Sequence, residues 1–433
     1  MNLKVFIAVM VLATLVACHQ KPQKPDVLLI VVDTLRWDHV GFNAATGHTP
    51  NMDRIAQSAT VYSQCRSASS NTSISMASFW TGLPPHETGV LTQLVALPQR
   101  HITVAEQFQQ AGYQTLGITA NPVLTPGMGF SQGFDHYQVT SRYGPDLIQA
   151  LKDQLETPSP KPRFIYVQFM DTHFPYNPGP FASNYDCADF GYFDEVSAHH
   201  KSLSEMLFHP PLDEVEMARA KRVYAASVRH VDALVGEIVE TLRDPLLIIT
   251  ADHGESLGEH GYFFGHSIMT YEATIKVPLL IRSPGQLEQE RIEQPVTHMG
   301  LHHALSRWLW QDIPVHIEAE TKPQVAWGHP NLGLLEDNTK VPAKGILGAR
   351  RSVFIQPNKI HLVPQPETAA AFEVYELDSD PNEQTILPHG HLSDDQWRNV
   401  INVFETSVPT QENTGTAHAA QLELLRSLGY VAD

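Results

Sequence analysis

Five short apolar runs punctuate the chain: Val27–Val32, Thr115–Thr119, Phe164–Met170, Leu246–Thr250 and Val277–Ile281. Each is rich in β-branched residues and lacks the alternation of a half-exposed strand, so each predicts a strand covered on both faces. Between them lie stretches with a helical period. The clearest covers Ala218–Leu242, where Val223, Tyr224, Ser227, Val231, Leu234, Val235, Ile238 and Leu242 fall at three- and four-residue steps. A shorter one, Val104–Ala111, stops at Gly112, a residue suited to a left-handed helix end. Strands alternating with helices predict an α/β fold with a large, mostly parallel sheet flanked by helices. The stretch from Asp171 to Glu216 is dense in Pro, Asn, Tyr and His without a period, and reads as a long functional loop. From about Pro284 the pattern weakens. The expected division is a main domain over 26–320 and a C-terminal subdomain over 321–433, the latter a smaller sheet with a helix.

The first residues read as a targeting segment. Lys4 precedes an apolar run too short to span a bilayer comfortably but suited to a signal peptide. It ends Leu15-Val16-Ala17-Cys18, which resembles the lipobox of bacterial lipoproteins. That resemblance implies a signal peptide over 1–17, lipid on Cys18, a tether over 18–25 and a membrane attached through that lipid. An ordinary signal peptide with an incidental Cys18 is the alternative. His19 stands where an inner-membrane lipoprotein often has Asp, which favours an outer-membrane anchor facing the periplasm. Cys65 and Cys187 then remain; an exported location permits a disulfide between them, but their spacing does not require one.

Net charge is −18, from 29 basic and 47 acidic residues, which argues against a sequence-independent grip on nucleic-acid phosphates. The 23 histidines point the other way, toward metal or proton chemistry, although most will be surface residues. Three polar clusters fall where predicted strands end, the place where open parallel sheets hold ligands. They are Val31-Val32-Asp33-Thr34, Met170-Asp171-Thr172-His173, and Thr250-Ala251-Asp252-His253-Gly254-Glu255. One Asp after a strand is ordinarily a turn former or helix cap. Three such clusters, two with His, shift the reading toward a metal or catalytic site.

The segment DVLLIVVDTLRWDHVG resembles the opening motif of sulfatases, and TPNMDRIAQSATVYS the segment after it. SMASFWTGLPPHETGV resembles the helix that carries the nucleophile, TADHGESLGEHGYFFGH the second metal motif, and YEATIKVPLLI the strand that follows. FEVYELDSDPNE resembles the C-terminal signature of the family, and LLRSLGYV its usual last helix. The ordered set implies an alkaline-phosphatase-like sandwich and a metal-dependent ester hydrolase. By that resemblance Asp33, Asp252 and His253, together with Thr72, match metal ligands. The second Asp usual in the first motif is here Thr34. One carboxylate fewer and one imidazole favour zinc or manganese, with calcium the third choice.

The nucleophile position departs from the pattern. Counting back from Thr81-Gly82 places Thr72 where sulfatases carry a Cys or Ser that is oxidised to formylglycine. Ile74 and Met76 replace the Pro and Arg of that motif, so no formylglycine is expected; Cys65 lies seven residues too early to substitute. The resemblance therefore implies Thr72 as an unmodified nucleophile, as in phosphodiesterases of the superfamily, unless it only caps a helix. Its ester would need water and a base to open it, and His173 and His266 are the candidates, for proton transfer or, with Asp171, for a second ion. Asp38 and His39 are read as ties for the first loop, Glu255, Glu259 and His260 as ties for the loop after the metal motif, and His298, His302 and His303 as part of a peripheral helix. The function expected is hydrolysis of a small-molecule, glycan or lipid ester, phosphoester favoured over sulfate ester. The alternatives are a phosphoethanolamine-type transferase of the envelope and an inactive, sulfatase-like binding lipoprotein.

Overall fold

The strand β1 (Val27–Val32) is fully buried, and a computed structural model shows what covers it. The structure describes residues 24–188, 191, 212–328, 351–363 and 371–407. Cys18, the apolar run before it and the LLRSLGYV segment lie outside these residues. Strands β2 (Thr60–Tyr62), β3 (Cys65–Arg66), β4 (Gln114–Thr119), β5 (His136–Val139), β6 (Arg163–Phe169) and β7 (Leu246–Ala251) follow. After a hairpin of β8 (Ser256–Leu257) and β9 (Phe263–Gly265) come β10 (Lys276–Val277), β11 (Leu279–Arg282), β12 (Glu290–Ile292) and β13 (Val296–Thr297). The main sheet has eight strands in the order β12-β2-β11-β7-β1-β6-β4-β5, with β1 parallel to both β6 and β7. Among the described strands of this sheet, only β11 runs against its neighbours.

The fifth apolar run, expected as one strand over Val277–Ile281, is two. Pro278 offers no N–H to a ladder, and the chain changes sheets there. Lys276–Val277 pairs with β3 in a small sheet, whereas Leu279–Arg282 joins the main one.

Helices α1 (Thr72–Thr81), α2 (Val104–Gln110), α3 (Gly144–Leu155) and α4 (Glu214–Val239) flank the sheet. α4 begins four residues before the predicted start at Ala218, because Asp213 and Glu216 form a capping box that fixes its N-terminus. The predicted loop thus gives way to helix within its last residues. After α4 come the one-turn helix α5 (Glu272–Ile275) and α6 (His298–Gln311). α6 is not peripheral, contrary to expectation: His298 and His302 are buried, and His302 Nδ1 lies 3.1 Å from the Phe79 carbonyl on α1. Only His303 of the three is exposed. Cys65 and Cys187 are both buried free thiols.

A second, antiparallel sheet is built from β14 (Gln324–Trp327), β15 (Arg351–Ile355), β16 (Asn358–Val363) and β17 (Ala371–Glu376). With helix α7 (Asp394–Thr406) it encloses its own small core of Val353, Ile360, Val374, Trp397, Val400 and Phe404. No helix among the described residues is long and apolar enough to cross a membrane.

Candidate active site

Parallel strands deliver their C-terminal ends to one edge, and β1, β4, β6 and β7 there place Asp33, Asn121, Asp171, His173 and Asp252 just beyond them. Asp33, Asp252 and His253 are fully buried, and a ligand atom from each lies within 4.8 Å of the others. His253 Nδ1 is 2.9 Å from the Gly254 carbonyl. A carbonyl only accepts, so Nδ1 carries the proton and Nε2 is bare. That bare nitrogen stands 3.5 Å from Asp252 Oδ2 and 3.9 Å from Asp33 Oδ1. Lone pair faces lone pair.

Electrostatics point to what suits this arrangement. Burial, and after it the charge of Asp252, raise Asp33 well above the ordinary carboxylate range. Burial pushes Asp252 up to about 7 and His253 down to about 4. Two buried carboxylates with a neutral imidazole cost several kcal/mol per ion to desolvate, unless a cation sits among them. Among the described residues Asp33 Oδ1 has no hydrogen-bond partner, whereas Oδ2 is held by Asn121 Nδ2 and by Gln168 Nε2 at 3.4 Å. Gln168 also reaches Asp252 Oδ2 at 3.3 Å. The donor set, two carboxylates and one imidazole nitrogen with an unused oxygen, fits a divalent cation and leaves room for a further ligand.

Thr72 completes the group. It is the first residue of α1, with Asn71 in the cap position, so its hydroxyl is not spent on capping. Oγ1 lies 3.1 Å from His253 Nε2, and its one proton has two acceptors in reach, that nitrogen and the Asp252 carboxylate. Ser75, one turn on, donates to the Asp252 carbonyl at 2.6 Å and so locks α1 to the metal motif. Thr34, which stands in for a carboxylate, turns its hydroxyl to the carbonyls of Thr172 and Asp33. Its φ of 57° is a strained conformation for a β-branched residue, held because Thr34 N donates to Asp252 Oδ1 at 3.2 Å and Tyr224 donates to its carbonyl at 2.8 Å.

The two remaining predicted histidines meet above this group. His266 packs on His253 with ring centroids 4.3 Å apart, and its Nε2 is 3.0 Å from His173 Nε2. His173 Nδ1 donates to the Phe174 carbonyl, so its Nε2, which faces His266, is bare. His266 Nδ1 lies 3.1 Å from the Ser70 carbonyl, which only accepts, and 3.0 Å from Ser267 Oγ. Burial, and after it the neighbouring imidazoles and, for His173, Arg142, hold both imidazoles well below their ordinary range. Asp171 is turned aside, accepting from Asn177 Nδ2 at 2.6 Å and facing His230 at 3.8 Å. The structure therefore gathers Asp33, Thr72, Asp252, His253, His266 and His173, and leaves Asp171 out.

Asp38, His39 and Glu259 tie down their loops as the sequence suggested. Asp38 takes two hydrogen bonds from Arg36 and one contact from His39, and Glu259 binds Arg36 and the Leu257 N–H. Glu255 is buried with a carboxyl that burial, and then the Asp33 charge, push upward. His260 stacks on Tyr271. Four residues were missed. Asn121 follows a strand as the other clusters do, and Gln168 interrupts an apolar strand, which is itself a sign of a polar group beneath a site. Asn71 bridges to Ser267 at 3.1 Å. Arg142 binds the carbonyls of His173 and Pro175 at 3.0 and 2.6 Å, and no local pattern announces it.

The family model described as Sulfatase matches residues 25–311. A Δ4,5-hexuronate-2-O-sulfatase of Bacteroides thetaiotaomicron is 22% identical over 327 residues, 65% of this chain and 66% of that protein. A choline-sulfatase of Rhizobium meliloti is 24% identical over 60% of this chain and 63% of its own length. The chain thus spans just under two thirds of the length of these relatives. The crystal structure of a phosphonate monoester hydrolase of Agrobacterium radiobacter superposes with a TM-score of 0.67 at 18% identity, covering 94% of this chain and 96% of that one, which is a likeness of fold. With a model match over well more than half of its residues and the motif residues gathered at one sheet edge, this chain belongs to the sulfatase family.

Proposed function

We propose that the protein is a metal-dependent hydrolase of phosphoesters, with Thr72 as an unmodified nucleophile. Sulfatase-family enzymes use a divalent metal, and here Asp33, Asp252, His253 and the Thr72 hydroxyl are the residues to hold it. Zinc or manganese suits the mixed oxygen and nitrogen donors better than calcium. The observation that carries the proposal is the Thr72 hydroxyl, uncommitted to capping and 3.1 Å from His253 Nε2, beneath a pair of imidazoles.

A divalent cation bound by these residues would supply Lewis acidity, lowering the pKa of an adjacent hydroxyl and offsetting charge on the transferred group. Thr72 Oγ1 attacks phosphorus, the bond to the leaving alkoxide breaks, and a phospho-threonine ester forms. The imidazole pair takes up the Thr72 proton on an unprotonated nitrogen and returns it to the leaving oxygen. In the second half a water gives its proton to the pair and opens the ester, and the proton returns to Thr72. A threonine has one hydroxyl and cannot expel the group by collapsing to an aldehyde. Water must therefore attack the central atom, which favours phosphorus over sulfur in this reading.

The deciding experiment is a matched panel of aryl sulfate, phosphate monoester, phosphate diester and phosphonate, each with zinc, manganese or calcium. Phosphoester turnover is expected to exceed sulfate-ester turnover by at least about tenfold, roughly 1.4 kcal/mol of transition-state preference. Strong aryl sulfatase activity with little phosphoesterase activity overturns the proposal.

The substrate is a small-molecule, glycan or lipid ester of the cell envelope. That location follows from the Leu15-Val16-Ala17-Cys18 motif, whose Cys18 we take as the lipid-bearing first residue of a mature chain at the outer membrane, facing the periplasm. Two or three acyl chains hold a protein firmly where one does so marginally. Mass spectrometry of the purified N-terminus is expected to find an acylated Cys18; an unmodified terminus elsewhere removes this assignment.

A further inference from the structure

Five charged or titratable side chains are buried together where the second sheet meets the main domain: Arg66, Glu272, Lys359, His361 and Glu383, none more than 7% exposed. Arg66 grips Glu272 with two hydrogen bonds, Nε at 3.0 Å and Nη2 at 2.7 Å. Lys359 of β16 bridges Glu272 and Glu383 at 3.1 and 2.9 Å. His361 Nε2 lies 2.8 Å from Glu383 Oε1, and Thr270 Oγ1 lies 3.3 Å from its other nitrogen. The remaining oxygen of Glu383 accepts from the backbone N–H of Glu272 at 2.6 Å. Burial alone would push both carboxyls up; Arg66 and Lys359 hold Glu272 below its ordinary range, and Lys359 and His361 do the same for Glu383.

The turn that Glu383 grips touches both halves of the active site. Thr274 O in α5 accepts from Gly254 N at 2.8 Å, directly behind His253. The approach is so close that a Cβ on Gly254 would stand 2.1 Å from the Ala273 carbonyl. Ile275 O accepts from Ser67 N at 2.9 Å, on the segment that runs from Arg66 to Thr72. One helical turn therefore sets the backbone of the metal motif and of the nucleophile segment. Its first N–H is fixed by a carboxylate from the far sheet.

We propose that Glu383 is a positioning residue for the active site, acting through the Glu272 N–H on the α5 turn that aligns His253 with Thr72. Glu383 closes the FEVYELDSDPNE segment, which nothing in the reaction uses directly. A buried ionic cluster is a poor source of stability, since well-packed apolar side chains of equal volume do as well or better. What it provides is a single geometry, because every charge needs its partner at one place. The inference rests on Asp252, His253 and Thr72 being the working residues.

The test compares two double variants of the full chain, Lys359→Met with Glu383→Gln and Lys359→Met with Glu383→Leu. Both remove the ion pair and leave no unpaired charge there, but only glutamine keeps an oxygen for the Glu272 N–H. The glutamine form is expected to retain kcat within about threefold of the unaltered chain. The leucine form is expected to lose at least about tenfold in kcat with KM little changed, at matched folded fraction. Manganese affinity, measured by calorimetric titration of metal-stripped protein, should fall by at least about tenfold in the leucine form only. If the leucine form does not fold, Glu383→Asp takes its place; it keeps the charge beside Lys359 and draws back from the N–H, and the same losses are expected. Equal kcat and equal manganese affinity in the glutamine form and its comparator overturn the inference. If the unaltered chain turns over no ester, the manganese titration still decides. An unaltered chain that neither binds manganese nor turns over any ester removes the site assignment, and this inference with it.

Discussion

Replacing Thr72 by alanine is expected to reduce ester turnover by at least about 10³-fold, the scale seen when a nucleophile is deleted from a preorganised site. The side chain sits at the first position of α1 and makes no cap. Its removal therefore takes away one hydroxyl and no helix-end hydrogen bond, and the helix should remain. Asp33, Asp252 and His253 keep their places in that variant, because Asn121, Gln168 and the Thr34 and His253 N–H groups hold the two carboxylates. Metal content should change little. Thr72→Ser retains the hydroxyl and is expected to keep measurable turnover, with some loss from a less restrained side chain. The comparison is read by steady-state kinetics beside elemental analysis. An alanine variant with undiminished turnover would show that some other group attacks the substrate.

Asp252→Ala should abolish both metal content and activity. Of the two candidate carboxylate ligands it has the more contacts around it, with Thr34 N and His253 N on Oδ1 and Gln168 on Oδ2. Alanine leaves those N–H groups without an acceptor, at a cost of about 1–3 kcal/mol each. Asp252→Asn separates this loss from the loss of charge, since its carbonyl oxygen can accept from the same two N–H groups. The asparagine variant also relieves Asp33 of a like charge that helps raise its pKa. It should therefore be no less stable than the metal-stripped unaltered chain, while still failing to retain metal. Thermal unfolding and elemental analysis of the same samples check both halves. Full metal occupancy in a folded Asp252→Ala protein would move the metal site elsewhere.

Much of the site was legible because its chemistry is local in sequence. Asp33, Asp252, His253 and His173 each follow a strand whose apolar run is plain, and Thr72 is fixed by its distance from Thr81-Gly82. The partners that hold these groups were less visible. Asn121, Gln168 and Arg142 come from three separate segments, and only the fold shows that they converge. The fold itself was read well where runs were long and continuous, and poorly at Pro278, where one apolar run feeds two sheets. The α4 start was missed for a different reason. Apolar spacing locates the buried part of a helix, whereas its first turn is exposed and is fixed by the Asp213 and Glu216 side chains. His298 and His302 look like surface residues in sequence, yet they are buried against the helix that bears Thr72.

The central place of β1 has a consequence for how the chain comes to fold. Its neighbours in the sheet are β6 and β7, with Val27 paired to Phe164 on one side and Leu246 on the other. The first of the described strands to be synthesised therefore waits for partners that lie far along the chain. One edge stays uncovered until β6 has been made, and the other until β7 has, late in the main domain. Contacts of such long range close slowly, because a large loop must be ordered before any pairing rewards it. In that interval VLLIVV is an uncharged, β-branched segment of the kind that pairs with other copies of itself. Asp26 before it and Asp33 after it flank the run with charge, and that spacing limits aggregation as well as serving the finished site.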